Sequence, residues 1–457
     1  MKQAVQKQKL DMLNGSLWNK IPQFALPVAA TAILEQLFNA SDIAVVGNFS
    51  GAASTIAVAA VGANSFVISL VVNFFIGIAL GANVVIANAI GREDTDAVHR
   101  AVHTAVVVAV LGGVLVTVLG ELAAGPALRA LNVPAEVLPY ALLYLRIYLL
   151  GVPVILLYNF EAAIFRSVGD TRVPLQTLAF SGVLNVLLNL FFVIVLHMTV
   201  NGVATATVLS NAISSVLLFV RLRRSDKAIH LEWTALRIDR RSLQKILQIG
   251  IPAGIQSAVF SISNIVIQSA INSLGTVVMA ASSAAFNIEV VAYDVLNSFS
   301  QACTTFVGQN YGAGKLDRCR KTLVLCLLED ALASGSAILL VLGSGHFLLS
   351  LFNRDPEVIA LGYTRLMTVF TAYFFSMLYE VMSGYLRGFG ISLVPALLTM
   401  LGVCGVRILW IATAFPRSRT FQTILLAYPL SLAATAVLIL LALLIYHPSR
   451  RTKGETV

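Results

Sequence analysis

Apolar runs of about 20 residues or more follow one another along nearly the whole chain, joined by short polar connections. That is the pattern of a polypeptide crossing a bilayer many times. In order, the runs occupy residues 21–47, 55–90, 97–119, 136–165, 173–197, 201–222, 242–273, 276–311, 320–343, 356–386, 393–414 and 421–446. About twelve spanning helices are expected, an all-α polytopic membrane protein whose termini share one side because the number is even. The second and eighth runs exceed what a bilayer needs, so they should tilt or project beyond it.

Only 12% of the residues are charged, against about 25% in a soluble domain. The longest polar connection, 221–245, is expected to be a loop or a short surface helix, which leaves no room for an extramembrane enzyme domain. A formal charge of +9 raises the question of nucleic acid. The basic residues, however, gather in alternate connections, as they do when charge orients a membrane protein. Putting the N-terminus, 92–100, 166–172, 221–245, 315–321, Arg387 and the C-terminal tail on one side collects about 24 of the 31 Lys and Arg residues there. That side is expected to be the cytoplasm, the protein a multi-pass component of the cell membrane, and nucleic acid no partner. Residues 1–20 are polar and basic, with no pattern of a cleavable signal. The expected division is a cytoplasmic segment 1–20, an N-terminal lobe 21–222, a cytoplasmic linker 223–241, a C-terminal lobe 242–446 and a cytoplasmic tail 447–457. The four cysteines, Cys303, Cys319, Cys326 and Cys404, show neither disulfide spacing nor a metal-ligand pattern.

The first span carries the feature that points to function. In Leu26–Gly47, LPVAATAILEQLFNASDIAVVG, Asp42 lies well inside an otherwise apolar helix. A carboxylate at that depth costs about 2.5 to 3.5 kcal/mol on insertion scales, so it calls for a partner or a water-filled cavity. Glu35, Asn39 and Asp42 stand at i, i+4 and i+7, one polar stripe on a helix of 3.6 residues per turn. That stripe should face protein and water.

The two halves repeat. Lys20-Ile21 with Leu26-Pro27 returns as Lys245-Ile246 with Ile251-Pro252, and Asn39 falls opposite Asn264. Asp96 and Arg100 answer Asp317 and Lys321, Tyr144-Leu145-Arg146 answers Tyr363-Thr364-Arg365, and Glu161 answers Glu380. Arg166, Gly169 and Pro174 answer Arg387, Gly390 and Pro395. A repeat of six spans keeps its orientation, so two pseudo-symmetric bundles related by an axis along the membrane normal are expected, with a cavity between them.

Further polar residues lie within spans. Asn185 and Asn189 are one turn apart in the fifth, and Thr207, Ser210, Asn211 and Ser214 share a face of the sixth. With Asp42 they offer oxygen ligands for a hard cation or a wet site for a proton. For Asn185, Asn189 and Thr207 taken without it, ordinary hydrogen bonding between helices is the favoured reading, and Asp42 is what shifts the balance. In the second half Asn287, Asp294 and Gln301 recur every seven residues, with Asn297 beside them, again a stripe too polar for lipid. Arg407, in the eleventh span, is expected to pair with Glu380 in the tenth, as a fixed ion pair or as part of a substrate or coupling site. Glu161 and Arg146 read as interface or helix-end charges.

Taken together, LFNASDIAVVG, GANVVIANAIG, FRSVGDTRVPL, GVATATVLS, TFVGQNYGAGK and YLRGFGISLVP, in this order and spacing, resemble the multidrug and toxic compound extrusion (MATE) family. That family sits in a superfamily that also includes lipid-linked oligosaccharide flippases. The resemblance covers nearly the whole chain. It implies two six-helix lobes forming a V-shaped cavity and efflux of amphipathic or cationic small molecules driven by inward flow of H+ or Na+. It also implies that Asp42, with Asn185, Asn189 and Thr207, forms the coupling-cation site of the N-terminal lobe. Many relatives have Asp where this chain has Asn189, a loss of negative charge that should weaken cation binding. Phe260 stands about where some Na+-coupled relatives have Glu, so that second site is not supported here. Glu380 lies about one turn from another acidic position in those relatives. Candidate C-terminal substrate or cavity residues are therefore Asn287, Asp294, Gln301, Glu380 and Arg407.

The leading expectation is a secondary antiporter, a monomer in contact with lipid, needing no cofactor and no metal beyond Na+ at Asp42 as coupling ion. No Walker A run, HExxH pair or aspartate-rich prenyltransferase motif is present, so no enzyme is expected. The alternative is a flippase for a lipid-linked glycan, whose cavity should carry several Arg or Lys residues for phosphate. The spans offer mainly Arg146, Arg365 and Arg407.

Overall fold

The computed structural model describes residues 10–131, 133–225 and 228–448. Among these residues regular structure is entirely helical, and twelve helices are long and apolar enough to span a bilayer. They are α1 (Lys20–Phe49), α2 (Ser54–Gly91), α3 (Thr95–Ala130), α4 (Leu138–Ser167), α5 (Arg172–Val195), α6 (Val200–Arg223), α7 (Arg240–Asn272), α8 (Thr276–Gly312), α9 (Leu316–Ser350), α10 (Pro356–Gly388), α11 (Leu393–Thr413) and α12 (Phe421–Tyr446). The expected long helices α2 and α8 run to 38 and 37 residues. Two others exceed expectation. α3 continues to Ala130 through Pro126, and α9 begins at Leu316 and ends at Ser350, so polar residues placed in connections are helical.

Local chemistry explains where the helices stop. Asp94 caps α3 by accepting from the Ala97 amide at 2.9 Å, and Asp355 caps α10 from the Glu357 amide at 2.9 Å with Pro356 just behind it. α4 and α10 end alike. Gly169 and Gly390 take left-handed backbone (φ 82° and 85°), their amides bond back to Arg166 and Arg387, and the next amides reach the carbonyls of Phe165 and Leu386. These are the Arg and Gly residues matched between halves in the sequence. A second equivalence lies in the packing: Asn83 of α2 donates to the Ala163 carbonyl of α4 (3.1 Å), and Thr304 of α8 donates to the Gly384 carbonyl of α10 (3.1 Å), each pair 80 residues apart.

The chain packs as two units. One contains Ala30–Gly254; the other contains Asp11–Ala29 with the chain from Ile255 onward, so α1 and α7 each begin in one and finish in the other. In the first, α2 and α7 cross backbone to backbone. Gly77 and Gly81 face Gly250 and Gly254, and a methyl group on Gly250 would lie 2.6 Å from the Ile78 Cα. Small residues four apart permit that approach where apolar attraction between helices is weak. Within 221–245, α6 runs on to Arg223 and α7 begins at Arg240; between them the described residues hold one short turn, Trp233–Ala235, and the segment is anchored, with Ile229 and Leu231 buried in the core formed with α2, α3 and α4. The Glu232 and Asp239 amides donate to His103 and Thr104 of α3, both at 3.0 Å. Asp239 caps α7, and hydrogen bonds from the Ser242 amide and hydroxyl hold its carboxyl below the usual range.

In the second unit the segment ahead of α1 is tied to the α8–α9 connection. Asn310 donates to the Met12 carbonyl (3.1 Å), and Lys315 and Arg318 donate to carbonyls between Met12 and Gly15.

Candidate functional site

The polar stripe of α1 opens on a cavity inside the first unit. The cavity measures about 480 Å3, and Glu35, Asn39 and Asp42 all line it. α5 contributes Ser181 and Asn185, α6 contributes Thr207, Ser210, Asn211 and Ser214, and α4 contributes Tyr144 and Tyr148. None of its lining residues is Lys, Arg or His. Glu35 and Asn39 are exposed toward it, whereas Asp42 retains 6% of its surface. The carboxylate thus sits at a polar cavity wall with most of its surface covered by protein.

Three helices converge on that carboxylate. Asn189 of α5 donates its amide to Asp42 Oδ1 at 2.5 Å and lies 3.1 Å from Asn185 Oδ1; Thr207 of α6 places its hydroxyl 2.9 Å from Asp42 Oδ2. The Thr207 hydroxyl is also 3.0 Å from the Val203 carbonyl. With a single proton it serves one acceptor at a time. Asn189 is fully buried, and its Oδ1 has no hydrogen-bond partner. Immediately after it α5 leaves the α-helical pattern for a π-helical turn, Phe191–Val195, a local widening frequent at functional sites. The four residues named from sequence are therefore one hydrogen-bonded cluster. Chemically it can carry a proton on Asp42, or present oxygens of Asp42, Asn185, Asn189 and Thr207 to a hard cation once the donors turn away.

The cavity wall holds a contact that sequence does not announce. Phe38 lies flush on Gly182 of α5, where a methyl group would overlap the ring. Ser181, beside it, bonds to Ser214 of α6.

Residues singled out in the second unit do not form one site. Asn287 is exposed and donates to the Ser283 carbonyl of its own helix. Asp294 is partly buried with an unpartnered Oδ2, and Gln301 is half-buried. Glu380 accepts from the Tyr293 hydroxyl (3.0 Å) and lies 3.8 Å from Arg387. Among the described residues none of Asn287, Asp294, Gln301, Glu380 and Arg407 is bonded to another.

The expected Arg407–Glu380 pair is not formed. Arg407 follows a π-helical turn, Met400–Gly405, which shifts the face of α11. It meets α7 and α12 instead, bonding Ser431 (3.1 Å) and reaching Asn264 (3.4 Å). A bidentate ion pair is instead formed in this unit by Arg365 and Glu289, at 2.7 and 2.9 Å and both buried, with Arg365 also bonding Ser282. Its partners come from different helices, 76 residues apart, and no short-range spacing signals it. Glu161 is not a helix-end charge: it is fully buried and accepts from Ser215 at 3.0 Å, while Arg146 pairs at the surface with Glu121 at 3.5 Å.

The chain matches the MatE family model over residues 27–191 and 252–412. It is 26% identical over 402 residues to the probable multidrug resistance protein YoeA of Bacillus subtilis, covering 86% of each chain. It is 27% identical over 410 residues to the probable multidrug resistance protein NorM of Thermotoga maritima, covering 88% of this chain and 85% of that one. The crystal structure of MATE in complex with MaL6 superposes with a TM-score of 0.89 at 19% identity, over 98% of this chain and 100% of the other. The twelve membrane-length helices among the described residues, the fold and the family match over both halves agree: the chain belongs to the MatE family of multi-pass membrane transporters and is not an enzyme.

Proposed function

We propose that the protein is a secondary antiporter exporting amphipathic or cationic compounds across the cell membrane in exchange for H+ or Na+, with both termini cytoplasmic. The observation that carries this is the Asp42 cluster. A carboxylate held by Asn189 and Thr207 at the wall of a polar cavity has access to water and partners that can rearrange when a cation arrives. Cation binding at Asp42 releases the two donors, α1, α5 and α6 repack, and the cavity loses affinity for its cargo. Antiport requires that the cation bind one conformation better than the other, since a ligand shifts an equilibrium only by that difference. Names of relatives as multidrug resistance proteins support the cargo class.

A lipid-linked oligosaccharide flippase is the second reading. The absence of basic residues from the cavity lining weighs against it, because a diphosphate cargo needs Arg or Lys contacts. The deciding experiment is efflux of a fluorescent cationic dye from vesicles with Na+ and pH gradients imposed separately. Efflux under one of them supports antiport and names the ion; efflux under neither refutes antiport.

A further inference from the structure

Arg407 is a buried cation without a counter-ion. It keeps 3% of its surface, and among the described residues no carboxylate pairs with it. Its hydrogen bonds go to neutral oxygens, Ser431 Oγ and the more distant Asn264 Oδ1. Aromatic faces flank it, Tyr428 with its centroid 4.5 Å from the guanidinium carbon and Phe260 at 5.4 Å. The nearby acid is already used. Glu289 is saturated by Arg365, whose own guanidinium lies on Tyr428 at 5.3 Å. The cluster thus holds two guanidiniums and one carboxylate.

A buried charge left without an opposite charge loses hydration that neutral hydrogen bonds and ring faces return only in part. A planar guanidinium packed against ring faces, with donors not committed to an acid, is the geometry that takes a carboxylate or phosphate. Toward α7, Phe260 and Asn264 are only half-buried.

We propose that Arg407 anchors a binding site for an oxyanion, a carboxylate or phosphate carried by an amphipathic molecule, with Tyr428 and Phe260 packing on its apolar part. Insofar as this oxyanion belongs to exported cargo, it rests on the transport function above and extends the substrate class to zwitterions and anionic amphiphiles. The acid of the first unit and the base of the second then serve different charges.

The test is equilibrium binding to the full-length protein purified in uncharged detergent. Riboflavin 5′-phosphate and riboflavin share one fluorescent ring and differ by a phosphate. The wild type should bind the phosphate form about tenfold or more tightly, a difference of about 1.4 kcal/mol. Arg407→Gln should bring the ratio near one. Arg407→Lys, which keeps the charge but not the fork, should fall between, and guards against a Gln variant that fails to fold. Phe260→Glu, which supplies an internal counter-ion while leaving Arg407 in place, should also abolish the preference. Competition by phosphatidylglycerol but not phosphatidylcholine identifies a lipid headgroup as the occupant, and competition by inorganic phosphate a soluble one. A wild type without preference, or folded Arg407 variants that lose thermal stability yet keep the wild-type ratio, overturns the site. Because the readout is binding, its failure leaves gradient-driven efflux standing, and failure of efflux leaves the binding result standing.

Discussion

The Asn189 amide nitrogen lies 2.5 Å from Asp42 Oδ1, joining two helices through residues 147 positions apart in the chain. With the Thr207 hydroxyl 2.9 Å from Oδ2, this bond ties the α1 carboxylate to both α5 and α6. Asn189→Asp would put a second carboxylate there. Two acids at that separation repel unless a cation lies between them, so Na+ affinity, read from Na+-dependent thermal stabilisation, should rise about tenfold or more. No change in Na+ response would disconnect Asn189 from ion binding.

Thr207→Val removes the hydroxyl facing Asp42 Oδ2 while nearly preserving shape. A hydrogen bond to a charged group contributes about 1.5–3 kcal/mol. The variant should fold, melt at lower temperature and transport more slowly, whereas Thr207→Ser should recover most of both. Equal loss in the Ser and Val variants would assign the effect to packing.

Gly182→Val drives a side chain into the Phe38 ring at the cavity wall. Overpacking of this kind costs about 1–3 kcal/mol, and it should spread α1 from α5, lowering thermal stability and transport together. Adding Phe38→Ala should restore part of the stability; failure of this double variant to recover any would place the strain elsewhere.

Arg365→Gln leaves Glu289 buried without its bidentate partner and should destabilise the second unit by about 3–5 kcal/mol. Replacing both residues with apolar ones of similar size should be much milder. Thermal melting in detergent checks both, and a double variant as unstable as the single would contradict the ion-pair explanation.

The number and placement of spans were readable because each run of apolar residues must match a bilayer's thickness. The α1 stripe was readable because helical period alone puts Glu35, Asn39 and Asp42 on one face, and all three line the cavity. The partners of Arg407 are not legible for a definite reason: neighbouring spans suggest Glu380, but the π-helical turn ahead of Arg407 places it against α7 and α12, and no regular spacing encodes that turn. The seat of Phe38 on Gly182 and the glycine crossing of α2 with α7 carry no signal in the sequence, because which surface each glycine meets depends on long-range packing.

The most direct test of Asp42 as the coupling residue compares wild-type and Asp42→Asn protein, reconstituted at equal density, for dye movement against its gradient under an imposed cation gradient. Dye binding serves as the control for fold. Transport that stops while dye binding persists is the predicted result. An Asn variant that concentrates dye at the wild-type rate would contradict the proposal.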